Sequence, residues 1–385
     1  MPLSPALSTA TVLRTLVRTQ RRFYSRPSTP LTSPFVPRHF LSIADLTPSE
    51  LTTLIRDGQS YKHAIKSGLT PRNLLGSLTG KTVAMIFNKR STRTRVSTEG
   101  AVVAMGGHPM FLGKDDIQLN VNESLHDTAV VLSSMVSCIV ARVGPHSDIV
   151  DLAKSSTVPV INALSDDYHP LQTIADVITI HEAFRSSPTP GRSPTSGLGL
   201  EGLKLAWIGD ANNVLFDLAI GAIKLGMDVS VASPKGHEIP KPMLEVIGQA
   251  RDGVKDAGRL FETRVPEEAL KGADVVFTDT WISMGQEAEK AERLRAFKGF
   301  QVTPELVERG GAKKDWKFMH CLPRHQEVND EVFYSPRSLV FQEAENRLWA
   351  AIGKFGAAFL LESQTRADGC LVAIEAFIVN KGKIL

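Results

Sequence analysis

Cysteine is scarce in this 385-residue chain, which has only Cys138, Cys321 and Cys370. Three thiols at these spacings give neither a disulfide framework nor a metal-ligand pattern, which fits a reducing compartment. No apolar run approaches the ~20 residues that a membrane-spanning helix needs. No internal repeat appears, so repeat architectures are excluded. Acidic residues are missing from the start of the chain: Asp45 is the first, while Arg14, Arg18, Arg21, Arg22, Arg26 and Arg38 precede it. A Ser/Thr-rich, Arg-bearing, acid-free leader reads as a transit peptide for the mitochondrial matrix, with Leu13, Leu16 and Val17 on one helical face. Residues 1–24 form this leader, with cleavage expected close to Ser25. Its loss removes four arginines and takes the formal net charge from +3 to −1. A basic tail for nucleic acid is the poorer reading, because the basic residues stop where the folded pattern begins.

Strand-like and helical runs alternate twice along the chain. In the first series the clearest strands are Thr82 to Phe87, Ile139 to Val143 and Val158 to Ile161, and a helical stretch, Leu125 to Val136, ends at Cys138. Residues 39–170 make up this first domain. Pro170 then opens a long apolar helix, Leu171 to Phe184, that reads as a bridge, and the Ser/Pro/Thr/Gly-rich residues 186–199 read as a loop. The second series, residues 200–342, starts with the buried run Leu203 to Ile208. It continues through Val229 to Ala232, Leu260 to Thr263, Val275 to Thr278 and Trp316 to His320. Helices are expected from Asn213 to Leu225, Lys241 to Ala257 and Pro304 to Arg309. The pattern predicts an α/β protein of two doubly wound parallel-sheet domains joined by helices. The second half imitates a dinucleotide-binding domain. However, Gly209-Asp210-Ala211-Asn212-Asn213 lacks the second and third glycines that let a pyrophosphate reach the backbone, and a nicotinamide dehydrogenase fails on that loop.

The most telling stretch is Ser91-Thr92-Arg93-Thr94-Arg95, between the strand ending at Phe87 and a helix carrying Val96, Gly100 and Val103. A helix N-terminus offers unpaired N–H groups and a positive dipole end. Hydroxyls and two guanidinium groups added there suit a dianionic phosphate. A lone Ser-Thr-Arg would read better as an N-cap and a solvated basic turn, but other chemistry-bearing residues also fall just after strands: Arg142, His169, Asn213, Asp279 and Cys321. In open α/β sheets ligands bind beyond those strand ends.

Phe87-Asn88-Lys89-Arg90 followed by the pentad resembles the carbamoyl phosphate loop of the transcarbamoylases. Asn122-Glu123-Ser124, His169-Pro170-Leu171-Gln172, Asp279-Thr280-Trp281-Ile282-Ser283-Met284-Gly285 and His320-Cys321-Leu322-Pro323-Arg324 extend the likeness in the family's order. From about His39 to Trp349 the chain is similar to the aspartate/ornithine carbamoyltransferase family, and the last two motifs resemble its ornithine-using members. The resemblance implies two substrates, carbamoyl phosphate and L-ornithine, no metal or organic cofactor, and a homotrimer. It assigns carbamoyl phosphate to Ser91, Thr92, Arg93, Thr94, Arg142, His169, Gln172, Cys321, Leu322 and Arg347, and ornithine to Asn213, Asp279, Ser283 and Met284. Catalysis falls to Cys321, Arg142, His169 and Asp279, with Cys321 as proton acceptor or orienting group. Gln118 resembles the residue that reaches a neighbouring subunit's site. Asn88 departs from the pattern, standing where relatives often have an acid. The rivals are an aspartate- or acetylornithine-using relative, and a silent homologue that only binds.

After Ile352 the likeness stops. Arg347 is expected to begin a helix, and Gly353-Lys354-Phe355-Gly356 to break it. Gly-Lys-Phe can be encoded GGTAAGTTC, which contains a common splice-donor sequence. Ala367-Asp368 permits a branch-like sequence, and Leu371-Val372 an acceptor. Residues 353–372 therefore read as a translated intron. Its removal would leave one Val between Ile352 and Ala373, putting Leu348, Ile352, Ile374 and Ile378 on one face of a helix that returns to the first domain. The alternative is a genuine exposed insertion. Sequencing transcript-derived DNA separates the two. Messages that lack codons 354–372 are expected, and messages that uniformly keep them refute the intron.

Overall fold

A computed structural model describes residues 38–114, 117, 123–184, 197–282 and 289–357. The leader, Gln118, Asn122, Ser283, Met284, most of the expected 186–199 loop and everything after residue 357, Cys370 included, lie outside the described residues.

The first domain comprises α1 (Pro48–Lys66), β1 (Thr82–Phe87), α2 (Thr92–Ala104), β2 (His108–Gly113), α3 (Leu125–Met135), β3 (Cys138–Arg142), α4 (His146–Ser155) and β4 (Val160–Leu164). Its parallel sheet runs β2-β1-β3-β4. The apolar run Val83 to Phe87 is buried throughout, as a strand covered on both faces requires. α5 (Pro170–Phe184), whose residues Pro170 to Ile180 are all buried, bridges to the second domain.

That domain holds β5 (Lys204–Ile208), α6 (Asn213–Lys224), β6 (Asp228–Ala232), α7 (Lys241–Gln249), β7 (Leu260–Thr263), α8 (Pro266–Leu270), β8 (Val275–Phe277), α9 (Lys290–Ala296), α10 (Pro304–Gly310), β9 (Lys317–Met319) and α11 (Asp330–Phe333). Its sheet is parallel in the order β7-β6-β5-β8-β9. Strand order reverses between β1 and β3 in one sheet and between β5 and β8 in the other. Loops leaving these pairs diverge and open a crevice. They carry the pentad, Arg142, Asn213 and Asp279. Register sharpens the first crevice: Phe87 lies beside Arg142, and Asn88 N–H donates to Arg142 O at 2.9 Å.

Several expectations need correction. Cys138 does not end a helix but opens β3, fully buried. The helix expected over 241–257 stops at Gln249. β2 went unforeseen because it is an edge strand with half-exposed residues in place of an apolar run. At the C-terminal end, α12 (residues 340–357) is helical well before Arg347 and straight through 353–356. Glycine does not break it because the helix crosses α1 closely there. A Cβ on Gly353 would lie 3.2 Å from Leu54 O, and one on Gly58 would lie 3.1 Å from Trp349 O. Phe355 is buried, and Lys354 Nζ sits 4.5 Å from the centre of the Phe40 ring. Packing thus outweighs the roughly 1 kcal/mol that glycine costs inside a helix. The valine that splicing would place at 353 has to push α1 and α12 slightly apart. As expected, α12 returns to the first domain.

The domains are also tied through the one-turn helix Ile43–Asp45. Asp217 of α6 accepts Ile43 N–H and Ser42 Oγ–H, both at 2.9 Å, at the start of that turn. About two turns further along the same face of α6, Lys224 Nζ donates to the carbonyls of Ile43, Ala44 and Leu46 at 2.9, 3.0 and 2.6 Å. A carboxylate at the turn's N-terminus and an ammonium at its C-terminus match the unpaired groups of each end. Burial pushes Asp217 up to about 7. An unfolded Asp releases its proton near pH 4, so between about 4 and 7 the folded state binds more protons and this group's contribution to stability falls as pH rises. Urea unfolding of wild type and Asp217→Asn should therefore diverge across that window, wild type losing up to about 4 kcal/mol relative to the variant, at about 1.4 kcal/mol per pKa unit. Parallel curves would show that the carboxyl titrates normally.

Candidate active site

The first wall begins with Ser91, the N-cap of α2, whose Oγ accepts Thr94 N–H at 3.3 Å and donates to Thr94 Oγ1 at 3.0 Å. Thr92 is exposed and Thr94 buried. The two guanidinium groups of the pentad part company. Arg95 Nε donates to Glu99 at 3.0 Å, and Arg95 lies 3.8 Å from the centre of the Phe111 ring, so it serves α2 and β2. Arg93 donates to the carbonyl of Leu322, from the second domain. The expected pair of guanidiniums in the pentad is thus corrected to one.

Two further arginines replace the second. Arg142, at the end of β3, is buried and pushed down to about 10, first by burial, with Arg93 adding to it. Arg347, on α12, is not the surface ion pair that an i, i+4 glutamate would suggest. It is buried, donating to Gln172 Oε1 at 2.8 Å and Thr94 Oγ1 at 3.2 Å. Burial, then Arg142 and Arg93, push it down to about 10. His169, just before α5, is pushed well below its usual value by burial and by Arg347, Arg142 and Arg93, so it stands neutral. Arg142 Nε, Arg347 Nε and His169 Nδ1 are buried with no partner in the protein. Three like charges, Arg93, Arg142 and Arg347, beside unused donors make a site that a dianion relieves.

The facing wall comes from the loops after β5, β8 and β9. Asp279 is buried, accepting Cys321 Sγ–H at 3.1 Å on one oxygen and Asn212 Nδ2–H at 2.8 Å on the other. Burial, then Asp279 and Glu343, push the Cys321 thiol well up. It therefore stays a thiol, which favours the orienting group over the proton acceptor among the two roles expected for it. Asn213 Nδ2 reaches across to Ser165 O at 2.6 Å, joining the walls. Leu322 has φ 61°, in the left-handed region, and its carbonyl receives Arg93.

Comparison with known proteins agrees with this two-walled arrangement. Residues 38–182 match the carbamoyl-P binding domain, and residues 201–353 the Asp/Orn binding domain, of aspartate/ornithine carbamoyltransferase. The chain belongs to the aspartate/ornithine carbamoyltransferase family. It is 64% identical over 378 residues to the mitochondrial ornithine carbamoyltransferase of Emericella nidulans, covering 97% of this chain and 99% of the relative. To that of Coccidioides immitis it is 67% identical over 354 residues, covering 91% and 96%. A crystal structure of a mitochondrial ornithine carbamoyltransferase from Coccidioides immitis superposes with a TM-score of 0.78 at 64% identity, over 85% of this chain and 98% of that one.

Within this family member, Asp279, His320 and Cys321 bring donor atoms within 4.8 Å of one another. They suit no ion as they stand. His320 Nδ1 accepts Leu322 N–H at 2.8 Å and Nε2 bonds Glu327 at 2.9 Å, so the ring has no lone pair free. Sequence reasoning missed Asn212, although an Asn directly before a helical run signals an N-cap; its Oδ1 accepts Val214 and Leu215 N–H while its amide nitrogen orients Asp279. It also missed the buried acids Asp176 and Glu343, which lie behind Gln172.

Proposed function

We propose that this protein transfers the carbamoyl group of carbamoyl phosphate to the side-chain amine of L-ornithine, giving L-citrulline and phosphate, in the mitochondrial matrix. The observation that carries the reading is the convergence of Arg93, Arg142 and Arg347 on the start of α2, opposite the Asp279–Cys321 wall. Ser91, Thr92, Arg93 and Thr94, with Arg142, hold the phosphate. His169, Gln172, Arg142 and Arg347 surround the carbamoyl group, whose carbonyl oxygen becomes an oxyanion when the amine adds. Removing one such donor typically costs a hundred- to a thousand-fold in turnover. Asp279 and Asn213 receive the amino-acid end of ornithine, with Ser283 and Met284 following from the family motif. As the C–N bond forms, the C–O bond to phosphate breaks. With Cys321 held as a thiol and His169 a poor base, the departing phosphate oxygen takes the amine proton. Cys321 orients Asp279 and the amine.

An oligomer built through the first domain fits the surface. α2 exposes Val96 and Val103, 63% and 61% accessible, and the edge strand β2 exposes Met110 at 40%. A homotrimer, with Gln118 reaching a neighbour's site, follows the family pattern. The leader and the mitochondrial names of the fungal relatives point to the same compartment.

Citrulline formation from carbamoyl phosphate and ornithine, with aspartate and acetylornithine as competitors, tests the activity. Robust turnover with ornithine alone is expected; preference for aspartate or acetylornithine would overturn it. Cys321→Ser should lower kcat/KM for ornithine at least tenfold, leaving carbamoyl phosphate affinity within about threefold, because the hydroxyl changes the geometry at Asp279 and not at the phosphate (a tenfold change being about 1.4 kcal/mol). Normal turnover in that variant would leave the thiol no role in orientation.

A further inference from the structure

Behind the carbamoyl-facing residues lie two acids that the reaction itself does not use. Asp176 sits one turn after Gln172 on α5, and Glu343 lies on α12; both are buried. Gln172 Nε2 donates to Asp176 Oδ1 at 2.8 Å and to Glu343 Oε1 at 3.0 Å, while Gln172 Oε1 accepts Arg347 Nη1–H at 2.8 Å. Every partner of this amide is committed. A guanidinium can only donate, so the carbonyl must face Arg347, and the –NH2 then meets Asp176 Oδ1 and Glu343 Oε1, acceptor oxygens of an acid pair that shares one proton. We infer that Asp176 and Glu343 act as a positioning pair that holds the Gln172 carbonyl toward the substrate, so that the site selects a donor bearing –NH2 over one bearing –CH3. This rests on Gln172 being the carbamoyl contact. The second lone pair of Oε1 can accept an N–H from a carbamoyl group and nothing from an acetyl group. Sites built to hydrogen-bond one such group reject the analogue without it by factors of about 10⁴ to 10⁵.

The pair is well placed to keep this orientation. Burial pushes Asp176 up to about 7, and burial and Asp176 push Glu343 well above the usual carboxylate range, so the two hold one proton between them over much of the neutral range. The single remaining charge faces Arg347 on α12 and, from the second domain, Asp279 and Cys321. Glu343 Oε2 also accepts His320 N–H at 2.9 Å, so the same acid fixes the backbone just before Cys321. A rotation of the Gln172 amide would set its –NH2 against the Arg347 guanidinium and its carbonyl against the acids.

The test compares carbamoyl phosphate and acetyl phosphate as ligands of the intact enzyme, with inorganic phosphate as a reference that never meets Gln172's selectivity. In wild type the ratio of acetyl phosphate Ki to carbamoyl phosphate KM should exceed a hundred. In Asp176→Asn/Glu343→Gln, nearly isosteric but with amides able to present either end, the ratio should fall at least tenfold through weaker carbamoyl phosphate binding, with inorganic phosphate inhibition unchanged. Asp176→Asn alone, keeping the Glu343 acceptor, should fall between. A double variant that keeps the wild-type ratio overturns the pair's role and leaves Gln172's intact. A wild type with no preference overturns the assignment of Gln172 itself. Loss of inorganic phosphate inhibition in the double variant overturns the inference too, since the pair would then support the cradle at large. A retained phosphate Ki with a collapsed ratio is the outcome a merely structural role does not give.

Discussion

Arg347 depends on three elements far apart in sequence, and they depend on it. From α12 its guanidinium reaches Gln172 on α5 and Thr94 at the start of α2, so the bridge helix, the turn opening α2 and the last described helix meet at one charge. A buried guanidinium is costly unless its donors are used. Here two are satisfied by neutral acceptors and the charge is balanced from behind by the Asp176–Glu343 pair. That leaves the front of the cluster, Arg142 and Arg93 included, electrically incomplete. A dianion completes it.

The second wall obeys the opposite logic. Asp279 accepts one hydrogen bond on each oxygen, from Asn212 and Cys321, which orients the carboxylate and leaves each oxygen able to accept again. A fixed negative charge suits an ammonium, and a thiol held protonated beside it cannot compete for that ammonium. Positive and negative walls sit on separate domains, joined by α5, by the Asn213–Ser165 contact and by the grip of Asp217 and Lys224 on the 43–46 turn. Domain orientation therefore sets the distance between donor and acceptor substrates.

Much of this was legible in the sequence where the signal was local. The strand-to-helix turn at Ser91, the bridge helix after Pro170 and the two alternating series follow from residue order alone. What escaped depended on neighbours brought by the fold. Arg95 looks equivalent to Arg93 until Phe111 and Glu99 claim it. Glycine at 353 looks like a helix end until α1 packs against it at backbone distance. Cys321 reads equally as proton acceptor or orienting group until its burial beside Asp279 favours the second. Asp176 and Glu343 read as ordinary helix acids, because nothing along the chain says that they meet at one amide.

If the arginine cluster is built for one dianion, arginines from three elements close on it, with the carbamoyl group turned toward Gln172 and His169. A crystal structure of the protein with carbamoyl phosphate measures this directly. Phosphate oxygens are expected within hydrogen-bond distance of Arg93, Arg142 and the Ser91–Thr94 turn, with Gln172 Oε1 accepting from the carbamoyl nitrogen. A phosphate seated away from these groups, or a Gln172 amide nitrogen facing the ligand, would contradict it.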